Sequence, residues 1–169
     1  LGPLSWFLGV SVSQGSDFRI TLDQFQYIDK LMERFVPTNP GSVIKHSMPC
    51  NPVTFQALST AKNDEERDKA SRLPYLQLLG SLLYLSTMTR PDIAYHMSIL
   101  CSYMHDPSPA CYYAAIDLLL YVKHTKHLTL HFTGSKCPPA SIDAKLHPSI
   151  STCGGLVAYS DASWRKPDK

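Results

Sequence analysis

The chain has 169 residues, and its 16 Lys and Arg against 14 Asp and Glu give a formal net charge of +2. Hydrophobic residues make up 44% and charged residues 18%, which excludes an intrinsically disordered chain and fits one ordinary domain. No apolar run reaches the roughly 20 residues that span a bilayer, so we expect no membrane partner. Basic and acidic residues balance up to about residue 133, which does not predict strong phosphate binding by the isolated chain.

The cysteines and histidines indicate the cellular setting. Five cysteines, an odd number without C-x-x-C spacing, argue against a disulfide framework and for a reducing, intracellular environment. His124, His127 and His131 lie near Cys137 in sequence, but they lack the close pairs typical of zinc, so we interpret them as surface histidines. The chain begins with Leu1 rather than Met, and we therefore expect a fragment or a processed piece.

The first third of the chain predicts a β-hairpin followed by a helix. Residues 6–13 alternate with the period of a strand, residues 14–17 have turn chemistry, and the alternation resumes over residues 18–22. Asp23 can cap a helix whose apolar residues then recur at helical spacing until Pro37 ends it.

The middle of the chain predicts helices. The charge run over residues 62–72 indicates a solvated loop or a short exposed helix. Residues 76–85 form a helix that is apolar on most sides, so we expect it to be buried. Pro91 suits the first residue of the next helix, and Ser108 precedes a third that runs to about residue 123. The expected inward face of that third helix comprises Tyr113, Ile116 and Leu120.

The last part of the chain changes character. Residues 128–132 alternate as a short strand, and residues 133–155, with three prolines and three glycines, have no period and are interpreted as a linker. Residues 156–160 predict one more strand, which ends at Asp161. A lone strand leaves both edges unpaired, so we expect further chain after it. The predicted fold class is α+β: an N-terminal hairpin, a mainly helical bundle, a linker and one strand.

Three stretches carry recognisable motifs. Residues 7–10 (F-L-G-V) and 20–28 are similar to an F-L-G-I hairpin and an L-S-Q-x-x-Y helix start. Residues 79–85 read L-G-S-L-L-Y-L, residues 89–95 read T-R-P-D-I-A-Y, and residues 159–164 read Y-S-D-A-S-W. Together they resemble the pol polyprotein of copia-type LTR retrotransposons.

This resemblance implies a position within a polyprotein. The Y-x-D-D carboxylates of the polymerase lie upstream in the family and do not occur in this sequence. Residues 1–132 would be the C-terminal primer-support and thumb- or connection-like part of a reverse transcriptase. Residues 133–155 would be a linker, and residues 156–169 the truncated start of a ribonuclease H-like domain.

The resemblance also implies an activity for the parent protein. The parent would perform RNA-templated DNA synthesis with Mg²⁺ on an RNA/DNA primer-template, beside the remainder of the polyprotein. Its setting would be intracellular, in a cytoplasmic particle or the nucleus. For this chain alone we expect no catalysis and no cofactor.

Few residues are candidates for function. Asp161 matches the first ribonuclease H carboxylate, and it would be catalytic and bind Mg²⁺ only in a complete domain, since such sites need several carboxylates. Trp6 and Phe7 on the hairpin could support a nucleic-acid strand. Arg90 and Lys123 are candidates for phosphate contact.

Structural roles compete with these assignments. For Arg90 we favour an ion pair with Asp92 that orders the start of a helix. Tyr84 and Tyr95 are favoured as packing residues. Leu76 stands where the family usually has an arginine, which fits a decaying element. A second class of function therefore stays open: a helical protein-interaction module, or a domesticated remnant without nucleic-acid chemistry.

Overall fold

A computed structural model of the protein describes residues 4–16, 19–36, 48–49 and 55–132. These residues contain five α-helices, one 3₁₀ turn and a four-stranded antiparallel sheet. All of them belong to one compact unit that ends at Phe132. The predicted linker and the predicted strand over residues 156–160 lie outside the described residues.

The sheet joins the two ends of the described chain. Its strands, in spatial and sequence order, are β1 (Trp6–Phe7), β2 (Val10–Gln14), β3 (Ile20–Asp23) and β4 (Leu130–Phe132). The predicted hairpin is present as the β2–β3 pair. β4 then pairs with β3, so the whole helical region lies, in sequence, between two neighbouring strands.

The prediction of one continuous strand over residues 6–13 was wrong, because a two-residue turn interrupts it. Phe7 pairs with Val10, and both turn residues have positive φ, 49° at Leu8 and 83° at Gly9. Two-residue hairpin turns favour positive φ, which glycine adopts freely and leucine does not. The sequence did not reveal this turn, because the apolar residues before it and after it continue the same alternating pattern.

The helices follow the predicted order. They are α1 (Phe25–Phe35), α2 (Asp64–Ser71), α3 (Tyr75–Met88), α4 (Ala94–Ser102, after the 3₁₀ turn Pro91–Ile93) and α5 (Pro109–His124). α2 is exposed, as its charges predicted, and its N-cap Asn63 accepts a hydrogen bond from the Glu66 backbone N–H at 2.8 Å. Among the described residues, no helix is long and apolar enough to cross a bilayer.

The hydrophobic core surrounds α3 and α5. α3 buries leucines on one side and packs against α4 and α5, while α5 also contacts α1 and α2. The inward face predicted for α5 was wrong, because Tyr113 is exposed. The residues of α5 that are buried instead are Cys111, Ala114, Ala115, Leu118, Leu119, Tyr121 and Val122. Leu76 and Leu83 of α3 are also exposed, although the whole helix was expected to be buried.

Candidate nucleic-acid interface

Trp6 and Phe7 lie on opposite faces of the sheet. Trp6 is paired with Ser11 and Phe7 with Val10, and directly paired residues project to the same face of an antiparallel sheet. Val10 is buried, so Phe7 lies on the sheet face that is directed toward the core, although Phe7 itself is 55% exposed. The sequence analysis assigned both aromatic rings to one nucleic-acid surface, whereas the structure places them on opposite faces of the sheet.

Trp6 belongs to a face of hydroxyl, carboxyl and imidazole side chains. We call it the polar sheet face; by the strand register it comprises Trp6, Ser11, Ser13, Thr21, Asp23 and His131. Thr21 Oγ1 lies 3.1 Å from His131 Nδ1, and Thr129 Oγ1 lies 2.9 Å from His131 Nε2. These contacts hold the imidazole ring, so the face offers one fixed polar ring and one exposed indole.

Arg90 is one of the most deeply buried polar residues of the described chain, with 1% of its surface exposed. Its Nε and Nη2 donate to the two carboxylate oxygens of Asp92 at 2.9 and 2.7 Å. Nη1 donates to the carbonyl of Val122 at 3.2 Å, and Nη2 also donates to Thr125 Oγ1 at 2.6 Å. Phosphate contact by Arg90 is therefore excluded in this structure, and the favoured ion pair is present.

The surroundings of Arg90 tie the start of α4 to the end of α5. Tyr121 donates to Asp92 Oδ2 at 3.1 Å, and the Arg90 guanidinium lies 5.5 Å from the centre of the Tyr121 ring. Burial opposes ionisation of Asp92, but the hydrogen bonds and charge of Arg90 outweigh it and lower the pKa of that carboxyl. Burial, followed by the charge of Asp92, raises the pKa of Tyr121.

Lys123 is bound within the chain to a residue that the sequence did not single out. Its ammonium donates to Asp29 of α1, and Lys126 Nζ lies 3.3 Å from Asp29 Oδ2. The hydrogen bond from Lys123 lowers the pKa of Asp29 despite partial burial. Lys123 stays partly exposed, so it can reach solvent, but its charge already faces a carboxylate.

The chain is similar to retrotransposon proteins. It is 29% identical over 143 residues to the retrovirus-related Pol polyprotein from transposon TNT 1-94 of Nicotiana tabacum, matching 80% of this chain and 10% of that polyprotein. It is 26% identical over 172 residues to a putative transposon Ty5-1 protein of Saccharomyces cerevisiae, covering 97% of this chain and 53% of that protein. The chain is a retrotransposon pol homologue.

A third relative and the coverage complete the comparison. An uncharacterized mitochondrial protein of Arabidopsis thaliana is 30% identical over 132 residues, which cover 74% of this chain and 48% of that protein. The resemblance to a copia-type pol fragment is confirmed at moderate identity. The chain spans a tenth of the tobacco polyprotein and about half of the other two relatives. No protein-family model matches it, and no solved structure matches it.

Two of the pol motifs lie at the centre of the described part of the chain. The L-G-S-L-L-Y-L motif lies within α3, and T-R-P-D-I-A-Y forms the turn into α4 around Arg90. Thr89 of this second motif is buried and donates to Gln24 Oε1 at 2.7 Å, linking the motif to the start of α1. No local sequence pattern marks Gln24 or Asp29 as partners, since their contacts join distant parts of the chain.

The described residues do not assemble a metal centre. Among residues 4–16, 19–36, 48–49 and 55–132, no group of three His, Cys, Asp or Glu side chains could hold an ion. Asp161, the candidate catalytic and magnesium-binding residue, lies outside the described residues. The described part of the chain therefore does not fit the Mg²⁺ that the resemblance implies for a parent protein, and no chemical step follows from it.

A surface cleft of about 620 Å³ lies between α2, the start of α3 and residues 104–107. Arg67 on its wall donates to Asp106 at 3.1 Å and to Asp64 at 2.9 Å. The pair with Asp106 lowers the pKa of that carboxyl. Because one arginine faces two carboxylates, this cluster has a net negative charge, and the cleft is a poor candidate for a phosphate site.

Proposed function

We propose that this chain is the C-terminal part of a copia-type reverse transcriptase, followed by the opening of its ribonuclease H. The parent would copy RNA into DNA with Mg²⁺, and residues 1–132 would supply a thumb- or connection-like bundle and a small sheet. The observation that carries the proposal is the 143-residue similarity to a Pol polyprotein, which runs through motifs that build the core.

The polar sheet face is the surface we assign to nucleic acid within this function. Trp6 is the exposed aromatic residue of this face, and base stacking on an aromatic side chain is worth about 1–3 kcal/mol per base. The hydroxyls of Ser11 and Ser13 on this face can donate hydrogen bonds to phosphate or sugar oxygens. Because Arg90 and Lys123 already have carboxylate partners, we expect the affinity for nucleic acid to depend only weakly on salt concentration.

Primer-template binding tests this assignment with a matched pair of variants. Trp6→Ala removes the indole from the polar sheet face, whereas Phe7→Ala removes an exposed ring from the neighbouring position on the opposite face. In the polypeptide extended upstream through Y-x-D-D, fluorescence anisotropy should show binding weakened about five- to a hundredfold by Trp6→Ala alone. Equal losses in both variants would contradict the face assignment.

The chain by itself should not polymerise. It contains no Y-x-D-D, and we expect no primer extension on an RNA template unless the upstream part of the reading frame is present. Primer extension by the 169-residue chain alone would contradict the proposal that the polymerase carboxylates lie upstream.

In a protein extended downstream through ribonuclease H, Asp161→Asn should abolish RNA cleavage from a hybrid, because a two-metal site needs each of its carboxylates.

A protein-interaction module is the second candidate, favoured by a specific observation. Arg90 and Lys123 were the candidate residues for phosphate contact, and both form ion pairs within the chain. In addition, α3 contains no charged residue and has exposed leucines on its surface. A reading frame that starts and stops near these ends would favour this candidate. A frame continuing into polymerase and integrase sequences would remove it.

A further inference from the structure

His131 of β4 has a threonine hydroxyl at each of its two ring nitrogens. Thr21 Oγ1, on the neighbouring strand β3, lies 3.1 Å from Nδ1. Thr129 Oγ1, two residues earlier in the chain, lies 2.9 Å from Nε2. His131 is exposed and both threonines are half-buried, so the three side chains form one polar group at the surface of the polar sheet face.

The protonation state of the ring decides where the two hydroxyl hydrogens are directed. A neutral imidazole has one N–H and one acceptor nitrogen, so it donates to one threonine and accepts from the other. Only the threonine that accepts then keeps its hydroxyl hydrogen for another partner. A protonated imidazole donates through both nitrogens, which leaves both hydroxyl hydrogens for other partners and gives the ring a positive charge. Protonation therefore creates a cation flanked by two hydroxyl donors.

The charged residues nearest to this group on the same face belong to the β3 segment. Side chains alternate along a strand, so Arg19 and Asp23 lie on the face of Thr21, two residues before it and after it. Asp23 Oδ1 also accepts from the backbone N–H of Phe25 at 3.4 Å. Ser13, which pairs with Thr21 on its other side, is uncharged. Because the charges of Arg19 and Asp23 offset each other, protonation of His131 changes the net charge of these groups from zero to +1.

We propose that protonated His131, with the hydroxyls of Thr21 and Thr129, binds a backbone phosphate of the primer-template, so that binding strengthens as the pH falls. This inference rests on the proposed function and adds a phosphate site to the polar sheet face. A phosphate accepts charge-assisted hydrogen bonds, and threonine hydroxyls are common phosphate donors in protein complexes with nucleic acids. Histidine side chains ordinarily change charge between about pH 5 and 8, so the site gains its cation in that range.

The proposed site and Trp6 lie at opposite edges of the sheet. His131 is on β4 and Trp6 on β1, which are separated by three strand spacings of about 4.8 Å each. A base stacked on the indole and a phosphate bound at His131 would therefore belong to different nucleotides. At this separation the losses of binding free energy caused by Trp6→Ala and His131→Asn should add.

Primer-template affinity as a function of pH tests the proposal. In the polypeptide extended upstream through Y-x-D-D, fluorescence anisotropy at constant salt should show binding about fivefold tighter at pH 5.5 than at pH 7.5. His131→Asn keeps a hydrogen-bonding side chain without the titrating charge, and it should remove this difference. His124→Asn, at an exposed histidine in the last turn of α5, is the matched control and should keep it. A difference that persists in His131→Asn would overturn the proposal.

Salt dependence provides a second measurement that a change in folding would not reproduce. One additional phosphate contact makes the slope of log affinity against log salt concentration steeper by about 0.7–0.9. We expect this steepening at pH 5.5 relative to pH 7.5, and we expect its loss in His131→Asn. Thr21→Val keeps the cation, so it should keep the steeper slope while weakening binding at pH 5.5 about two- to tenfold. Circular dichroism checks the fold of each variant, and equal slopes at the two pH values would overturn the proposal.

The outcomes separate this inference from the proposed function. An extended protein that extends primers but binds primer-template equally well at pH 5.5 and pH 7.5 would overturn the inference alone. Equal strengthening of binding to polyglutamate, used as an acidic peptide probe, would show a site for carboxylates and would overturn the assignment to phosphate. Failure to bind primer-template at any pH in this range would overturn the proposed function, and the inference with it.

Discussion

Arg90 and Asp92, two residues apart, close a two-pronged ion pair in which two guanidinium nitrogens meet two carboxylate oxygens at 2.9 and 2.7 Å. The arginine side chain is 2% exposed, and the carboxylate is 33% exposed. The same guanidinium also binds the end of α5 through Val122 and Thr125. The T-R-P-D-I-A-Y motif therefore connects the start of α4 to the end of α5.

Asp92→Asn should destabilise the chain strongly. The substitution keeps the shape of the side chain but leaves the buried guanidinium without its counter-charge, and breaking a buried pair in this way costs about 3 kcal/mol. Asp68→Asn is the matched control, because Asp68 pairs with Arg72 on the exposed surface of α2. There we expect less than about 1 kcal/mol. Urea unfolding measures the loss of stability in both variants. Equal losses would contradict a stabilising role for the ion pair between Arg90 and Asp92.

Acid should weaken the chain below the ordinary pKa of aspartate. The pKa of Asp92 is lowered in the folded chain from 3.8, so the unfolded chain binds more protons as the pH falls through that value. The stabilisation by the ionised carboxylate is complete above about pH 5 and is lost as the pH falls through the folded pKa. Urea midpoints between pH 7 and pH 2.5 should show this loss. Asp92→Asn should lose less stability over that range, and parallel curves would contradict the assignment.

Gly80→Ala should stabilise the isolated chain. The added methyl group meets no atom of the described residues within 4 Å, and alanine in a helix interior is favoured over glycine by about 0.5–1 kcal/mol. Thermal unfolding followed by circular dichroism gives the difference. A loss of stability would show that the helix surface at Gly80 is already packed in the isolated chain.

Leu8→Asn should also stabilise the isolated chain, by about 1 kcal/mol. Asparagine tolerates positive φ better than leucine does, and the Tyr84 hydrogen bond uses the backbone carbonyl, which the substitution keeps. Leu4→Asn, at an exposed position before β1, is the control and should change little. Chemical unfolding of the two variants decides the matter, and a gain in both would indicate a general surface effect.

The amino-acid sequence by itself determined where four of the five described helices lie, and for α2 it left a loop and a short helix open. Helical spacing and the flanking prolines set the bounds of α1 and α5 closely, and the dense charges of α2 predicted its exposure. These features are local, because each depends on residues within a few turns of one another. The pol resemblance was likewise readable from contiguous motifs and is supported by the relatives.

Only the tertiary structure decided which surfaces meet. α5 is apolar around most of its circumference, so its pattern could not select between Tyr113 and Ala114 as the inward residue, and packing against α1 and α3 made the choice. Arg90 finds Val122 at a separation of 32 residues, and Lys123 finds Asp29 at 94. Charge pairing over such distances depends on how the helices pack, which no local pattern encodes.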